Sequence, residues 1–150
     1  IAQVTQEAYD NGDYIFVAMD RHDEGDTFHP ETKLFPPHNI AGTSGRELYG
    51  KLAGVYDAIK DDNRVFWMDK RHYSAFSGTD LDIRLRERRV TTVVLTGVLT
   101  DICVLHTAID AYNLGYDIEV VASATASLTP EAHDFAIGHF KNVLGATIVE

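Results

Sequence analysis

Thr92-Val93-Val94-Leu95-Thr96-Gly97-Val98-Leu99-Thr100-Asp101-Ile102-Cys103 is the stretch on which the fold turns. Residues 92–96 are β-branched or apolar without polar alternation, the pattern of a strand covered on both faces in a parallel sheet. Thr100 and Asp101 then offer side chains that cap helices, and a helical period runs over residues 101–114 to a stop at Gly115. The same strand-then-helix unit recurs outward in both directions. Upstream lie a helix over 1–11 closed by Asn11-Gly12, a strand over 14–19, a helix over 46–60 with Leu48, Leu52, Val55 and Ile59 on one face, a strand over 64–68 and a short helix over 80–89. Downstream lie a strand over 118–121, a helix over 130–140 and a last strand over 147–149. Alternation at these lengths predicts an α/β fold, with a mostly parallel central sheet flanked by helices on both faces in a three-layer, Rossmann-like arrangement.

The chain has 150 residues and a mass of 16.7 kDa, one domain's worth, and 45% hydrophobic content supplies a full core. Thirteen basic against 23 acidic residues leave a net charge of −10, which argues against nucleic acid or an anionic membrane as a partner. No apolar run approaches the roughly 20 residues that span a bilayer. Cys103 is the one cysteine, so no internal disulfide forms, as suits a reducing compartment. A cytoplasmic enzyme or binding domain is the expectation.

In parallel sheets the ligand lies beyond the carboxyl ends of the strands. Three predicted strands end in reactive groups there: Asp20, Asp69-Lys70, and Thr100-Asp101-Ile102-Cys103. In the first turn of a helix, Cys103 would meet backbone N–H groups and the positive end of the helix dipole, which favour thiolate and can cradle an oxyanion. The blander reading is a small buried hydrophobe. Lys70 could lower a thiol pKa and hydrogen-bond a substrate oxygen, or be a solvated loop charge. Tyr73 and Phe76 could wall an aromatic pocket or fill the core. Residues 21–45 hold three of the four prolines and three histidines, and a loop of that length in a compact domain is usually functional. Asp20-x-His22 sets two side chains on one side of an extended backbone, His29-Pro30-Glu31 and Pro36-Pro37-His38 follow, and imidazole with carboxylate suits Zn²⁺, Fe²⁺ or Mn²⁺. His72, His106, His133 and His139 read as surface or helix packing.

Four motifs in order, Asp20-x-His22, Pro36-Pro37-His38-x-x-x-Gly42-Thr43, Lys70-x-x-Tyr73-Ser74-Ala75-Phe76-x-Gly78-Thr79 and Gly97-Val98-x-Thr100-Asp101-x-Cys103-Val104, closely resemble the nicotinamidases (pyrazinamidases) of the isochorismatase-like cysteine hydrolase superfamily. The resemblance spans essentially the whole chain. It implies hydrolysis of the small-molecule substrate nicotinamide to nicotinate and ammonia through a cysteine thioester in NAD salvage, with pyrazinamide as a further substrate. Cys103 matches the nucleophile and Lys70 the family's catalytic lysine. Leu99 and Cys103 match the oxyanion-hole N–H groups, with Val98–Leu99 matching a cis non-proline peptide. Asp20, His22 and His38 match metal ligands, Glu31 matches the fourth with His29 as its alternative, and the metal is expected to be Zn²⁺, or else Fe²⁺ or Mn²⁺. Phe35 and Tyr73 match substrate-binding positions around the pyridine ring. A homo-oligomer is compatible with the family.

The family also carries a preceding strand whose aspartate takes the thiol proton and later returns it to ammonia. These residues contain no match to it, so the expectation is a single hydrolase domain over 1–150 that is N-terminally incomplete. Three alternatives stand beside the main reading: a superfamily amidohydrolase for another small amide or carbamoyl substrate, a non-catalytic metal- or ligand-binding module, and metal-hydroxide hydrolysis with Cys103 as bystander.

Overall fold

Asn11-Gly12 ends the first helix as glycine's freedom allows: α1 (Ala2–Asp10) closes and Gly12 turns the chain with φ of 91° into β1 (Ile15–Asp20). The computed structural model describes residues 1–150, in two compact units, Ile1–His72 and Tyr73–Glu150. In the first unit, 3₁₀ turns at Pro30–Lys33 and Ser44–Arg46 precede α2 (Lys51–Ile59), and β2 (Val65–Lys70) completes it. β1 and β2 pair in parallel from Ile15 opposite Val65 to Asp20 opposite Lys70. Phe16 and Phe66 face each other across the pair, their rings stacked at 4.8 Å. Tyr9 of α1 donates its hydroxyl to Asp62 at 2.8 Å, while Arg64 donates to the Tyr9 carbonyl at 3.1 Å and lies over the Tyr9 ring. These contacts join α1 to the turn that enters β2.

The second unit runs α3 (Leu81–Glu87), β3 (Thr92–Val98), a π-helical turn (Thr100–Val104), α4 (Leu105–Leu114), β4 (Asp117–Ala126), α5 (Pro130–Asn142) and β5 (Thr147–Val149). Its sheet order is β3-β4-β5, all parallel. The core gathers about the middle strand: Ile118, Val120, Val121 and Ala124 of β4 are buried, with Leu105, Ala108 and Ala111 of α4 and Ala136 and Phe140 of α5. Thr129 caps α5 by accepting from the Ala132 N–H at 3.2 Å, ahead of Pro130, and Gly115 stops α4 in the left-handed conformation. The architecture is α/β, with parallel strands in sheets flanked by helices.

Three expectations need correction. The helix predicted over 46–60 begins only at Lys51, because Gly50 adopts φ 60° and ψ −134°, outside any helix; Leu48 therefore precedes α2 instead of lying on its inner face. β4 extends five residues past 121, through a small-residue run whose strand signal is weak. β3 was expected to be covered on both faces, yet Val94 is 53% and Val98 62% exposed. In its sheet β3 pairs only with β4, and it is β4 that is buried.

Tyr116, buried beside α3, donates its hydroxyl to Asp82 at 2.6 Å, with the Arg86 guanidinium 4.4 Å from the ring centre. Burial first, then the Asp82 bond and charge, push the phenol up from 10.0 to about 12. A raised folded-state pKa means a contribution present in full below pH 10.0 and lost as pH climbs through about 12. Alkaline unfolding followed by circular dichroism should therefore lose a component in that window when Tyr116 is replaced by Phe. Phe140 is fully buried on the same helix on which Phe135 is 66% exposed. In urea unfolding, Phe140→Ala should cost about 3–5 kcal/mol, while Phe135→Ala stays within roughly 0.5 kcal/mol.

Candidate active site

In the first unit β1 runs out at Asp20, and pairing continues for one residue as the Arg21 N–H donates to the Lys70 carbonyl at 2.9 Å. His22 then forms a parallel bridge with Ile40: its N–H donates to the Asn39 carbonyl at 3.1 Å, and its carbonyl accepts from Ala41 at 2.8 Å. That bridge closes the long loop on itself and sets the His22 and His38 rings 4.3 Å apart. His38 follows two prolines, and its Nδ1 donates to the Pro36 carbonyl at 2.9 Å, leaving the Nε2 lone pair available to a ligand. Glu31 sits in the first turn of the 3₁₀ segment that His29 caps.

Glu31 Oε2 lies 3.4 Å from His38 Nε2 and 3.9 Å from His22 Nε2. The ligand atoms of these three residues fall within 4.8 Å of one another, and His22 and Glu31 are buried. Both ring nitrogens of His22 and Oε1 of Glu31 are buried without a hydrogen-bond partner. Buried polar atoms normally have one, and a carboxylate with two imidazole nitrogens is the donor set of a zinc, iron or manganese centre, so these residues fit a divalent cation. Burial, reinforced by the neighbouring His29 and His38, holds the His22 imidazole below its usual pKa and so in the unprotonated form that ligates. A cavity of about 170 Å³ adjoins the group, lined by His22, Asp23, Asp26, Glu31, Phe35 and His38 among others.

Asp20 is not in the trio. It forms an ion pair with the buried Lys70, whose ammonium also donates to the His72 carbonyl at 3.0 Å. Asp69 next door accepts from Arg46 at 2.5 Å, from the Trp67 indole at 2.8 Å and from Arg21 at 3.2 Å. Burial raises the Asp69 pKa, but these three donors together hold it below the carboxylate norm. Arg46 also donates to the Asp20 carbonyl at 3.0 Å, tying the start of the loop to the end of β2.

In the second unit Cys103 lies half-buried in the π-helical turn between β3 and α4. The Val98–Leu99 peptide is cis, as the resemblance implied. Neither Thr100 nor Asp101 caps the helix, which corrects that expectation: the cap position is Leu99, with no side-chain hydrogen bond. The Leu99 carbonyl accepts from both Ile102 at 3.2 Å and Val104 at 3.1 Å, the wider bond making the π turn; such turns concentrate at functional sites. The two polar side chains reach sideways instead. Asp101 accepts from the Ser127 hydroxyl at 2.6 Å and returns its own N–H to that oxygen at 3.4 Å. The wholly buried Thr100 meets His133 Nδ1 at 3.0 Å. Tyr73 lies 5.1 Å from the His106 ring, and His106 donates to the Ile102 carbonyl at 2.7 Å.

The structure thus brings His22, Glu31 and His38 together, and separately pairs Asp20 with Lys70. Sequence reasoning missed Arg46, which holds Asp69 and the Asp20 carbonyl, and the grip of Ser127 and His133 on the cysteine turn. Their partners are far away in the chain, and no local pattern announces them.

An isochorismatase-domain family model matches residues 1–149. A curated relative, an uncharacterized isochorismatase family protein PncA of Bacillus subtilis, is 53% identical over 150 residues, covering 100% of this chain and 82% of the relative. The crystal structure of pyrazinamidase/nicotinamidase from Streptococcus mutans matches with TM-score 0.98 at 80% identity, over 99% of this chain and 82% of that one. A pyrazinamidase of Pyrococcus horikoshii in complex with zinc matches with TM-score 0.84 at 27% identity, over 99% of this chain and 82% of that one. With its three-residue donor set and its cysteine on the turn after a parallel strand, the chain belongs to the isochorismatase family of hydrolases.

Proposed function

We propose that this hydrolase is a nicotinamidase, converting nicotinamide to nicotinate and ammonia, with pyrazinamide as a second substrate. The observation that carries the reading is the buried and unpaired donor set of His22, Glu31 and His38. A cysteine needs no metal to open an amide, whereas a substrate whose ring offers a nitrogen lone pair gains an anchor from one. A divalent cation held by His22, Glu31 and His38, with Asp20 as the fourth ligand the family resemblance assigns, would supply Lewis-acid anchoring for that ring nitrogen. Zinc is the first choice, since the donor set suits it and the pyrazinamidase of Pyrococcus horikoshii is in complex with zinc.

The covalent chemistry belongs to Cys103. Its thiolate adds to the carboxamide carbon, and the oxyanion is held by the N–H groups of Leu99 and Cys103. The C–N bond then breaks, and nitrogen leaves as ammonia with the proton the thiol gave up. Water cleaves the resulting thioester, releasing nicotinate and restoring the thiol. The family resemblance assigns Lys70 the catalytic-lysine role, and it assigns Phe35 and Tyr73 substrate-binding parts. Phe35 lines the cavity next to the donor set, which supports its part in this. No helix is long and apolar enough to cross a membrane. On the family resemblance our reading is a cytoplasmic reaction of NAD salvage, on a small-molecule substrate and without nucleic acid.

Ammonia release tests the reading. Nicotinamide should be turned over and an aliphatic amide of similar size should not; the reverse preference would favour the carbamoyl or small-amide alternative. Cys103→Ala should lower kcat at least about 10³-fold with the fold intact by circular dichroism, and an unchanged rate would make Cys103 a bystander. Chelation should abolish nicotinamide turnover, and added Zn²⁺ should restore it. Because the His22 pKa lies below 6.5, Zn²⁺ affinity measured by calorimetry should hardly respond to His22 protonation at and above that pH, and should fall as the solution is acidified below it.

A further inference from the structure

His29 is among the most buried polar residues of the chain, yet it stands outside the donor trio. Its Nδ1 accepts a hydrogen bond from the Glu31 N–H at 3.2 Å, and its carbonyl accepts from Thr32 at 3.1 Å, so His29 defines the start of the 3₁₀ turn on which Glu31 is carried. An imidazole that accepts at Nδ1 carries its proton on Nε2. One lone pair is thus committed to the backbone, while Nε2 is buried without a hydrogen-bond partner and lies outside the trio whose ligand atoms cluster. The ring centre lies 3.9 Å from that of His22.

We infer that His29 is a positioning residue of the metal centre: by accepting the Glu31 N–H it fixes the backbone that aims the Glu31 carboxylate at His22 and His38. This rests on reading those three residues as the cation's ligands, and it gives His29 a part other than the fourth-ligand alternative, a difference that His29→Asn tests because asparagine keeps the acceptor and has no second ring nitrogen. The role is that of an Asx-type cap played by imidazole, for the Oδ1 of asparagine occupies the place of Nδ1 and can accept from the N–H two residues on.

That equivalence gives a test. Zn²⁺ dissociation constants of the chelator-stripped chain are measured by competition with a chromophoric chelator, for the parent and for His29→Asn, His29→Phe and His22→Ala. Thermal midpoints of the metal-free proteins report the fold. His29→Phe keeps the ring and loses the acceptor, so it should bind Zn²⁺ roughly 10–100-fold more weakly, as when other outer partners of metal ligands are removed. His29→Asn restores the acceptor without a ring nitrogen and should stay within about threefold of the parent, since good caps interchange cheaply. Parent-like affinity in His29→Phe would overturn the inference, and so would a loss in His29→Asn as large as in His29→Phe. If His29→Phe does not fold, His29→Asn decides alone, with a loss beyond roughly tenfold counting against the role. Parent-like binding in His22→Ala would sink the metal centre itself, an outcome separate from the fate of His29.

Discussion

A glutamate carboxylate buried against two imidazoles is the arrangement around which residues 20–40 are organised. Taking a carboxylate out of water costs several kcal/mol unless charge and hydrogen bonds compensate. Glu31 has the Nε2 atoms of His38 and His22 at 3.4 and 3.9 Å on one side, and its other oxygen is buried without a partner. A divalent cation would resolve that arrangement, and the surrounding backbone holds the three side chains in place. The His22–Ile40 bridge closes the loop, Pro36-Pro37 fixes the approach of His38, and the Pro36 carbonyl selects its tautomer. His29 governs the turn that carries the carboxylate.

Around this centre lies a shell of arginine–aspartate pairs. Arg21 and Arg46 converge on Asp69, and Arg71 reaches Asp23 and Asp26 across the loop. Exposed pairs of this kind are individually weak and fade with salt. Their value lies in convergence. Arg46, mostly buried, holds both the Asp69 carboxylate and the Asp20 carbonyl, so one side chain joins the ends of β1 and β2 where the loop departs. Asp20 itself is matched with Lys70 by the parallel register of the two strands.

Much of this was legible in the residue string. Strand–helix alternation gave the α/β class, and the apolar runs gave every strand within a few residues. The imidazoles and carboxylates of the long loop pointed to a divalent cation, the resemblance implied Asp20, His22, Glu31 and His38 as its ligands, and His22, Glu31 and His38 lie together. What stayed hidden had physical causes. Gly50 looks like any tolerated helix glycine until its backbone angles are seen. Val94 and Val98 look like buried strand residues, and whether the face they share is covered depends on elements distant in the chain. Thr100 and Asp101 have the composition of caps, but better partners in Ser127 and His133 draw them away. Pairings across 26 or 33 positions leave no periodic trace.

Ser127 and Thr129 share one short span after β4. The first grips the base of the cysteine-bearing turn, and the second starts α5, whose His133 returns to Thr100. Two grips on the turn therefore issue from a seven-residue stretch with a proline at its centre. Spacing there is as constrained as identity: one inserted residue between 127 and 129 would leave the helix well begun, yet force the turn to surrender either its serine or its histidine. Length variation among natural homologues should accordingly avoid this connection and collect in loops that anchor nothing.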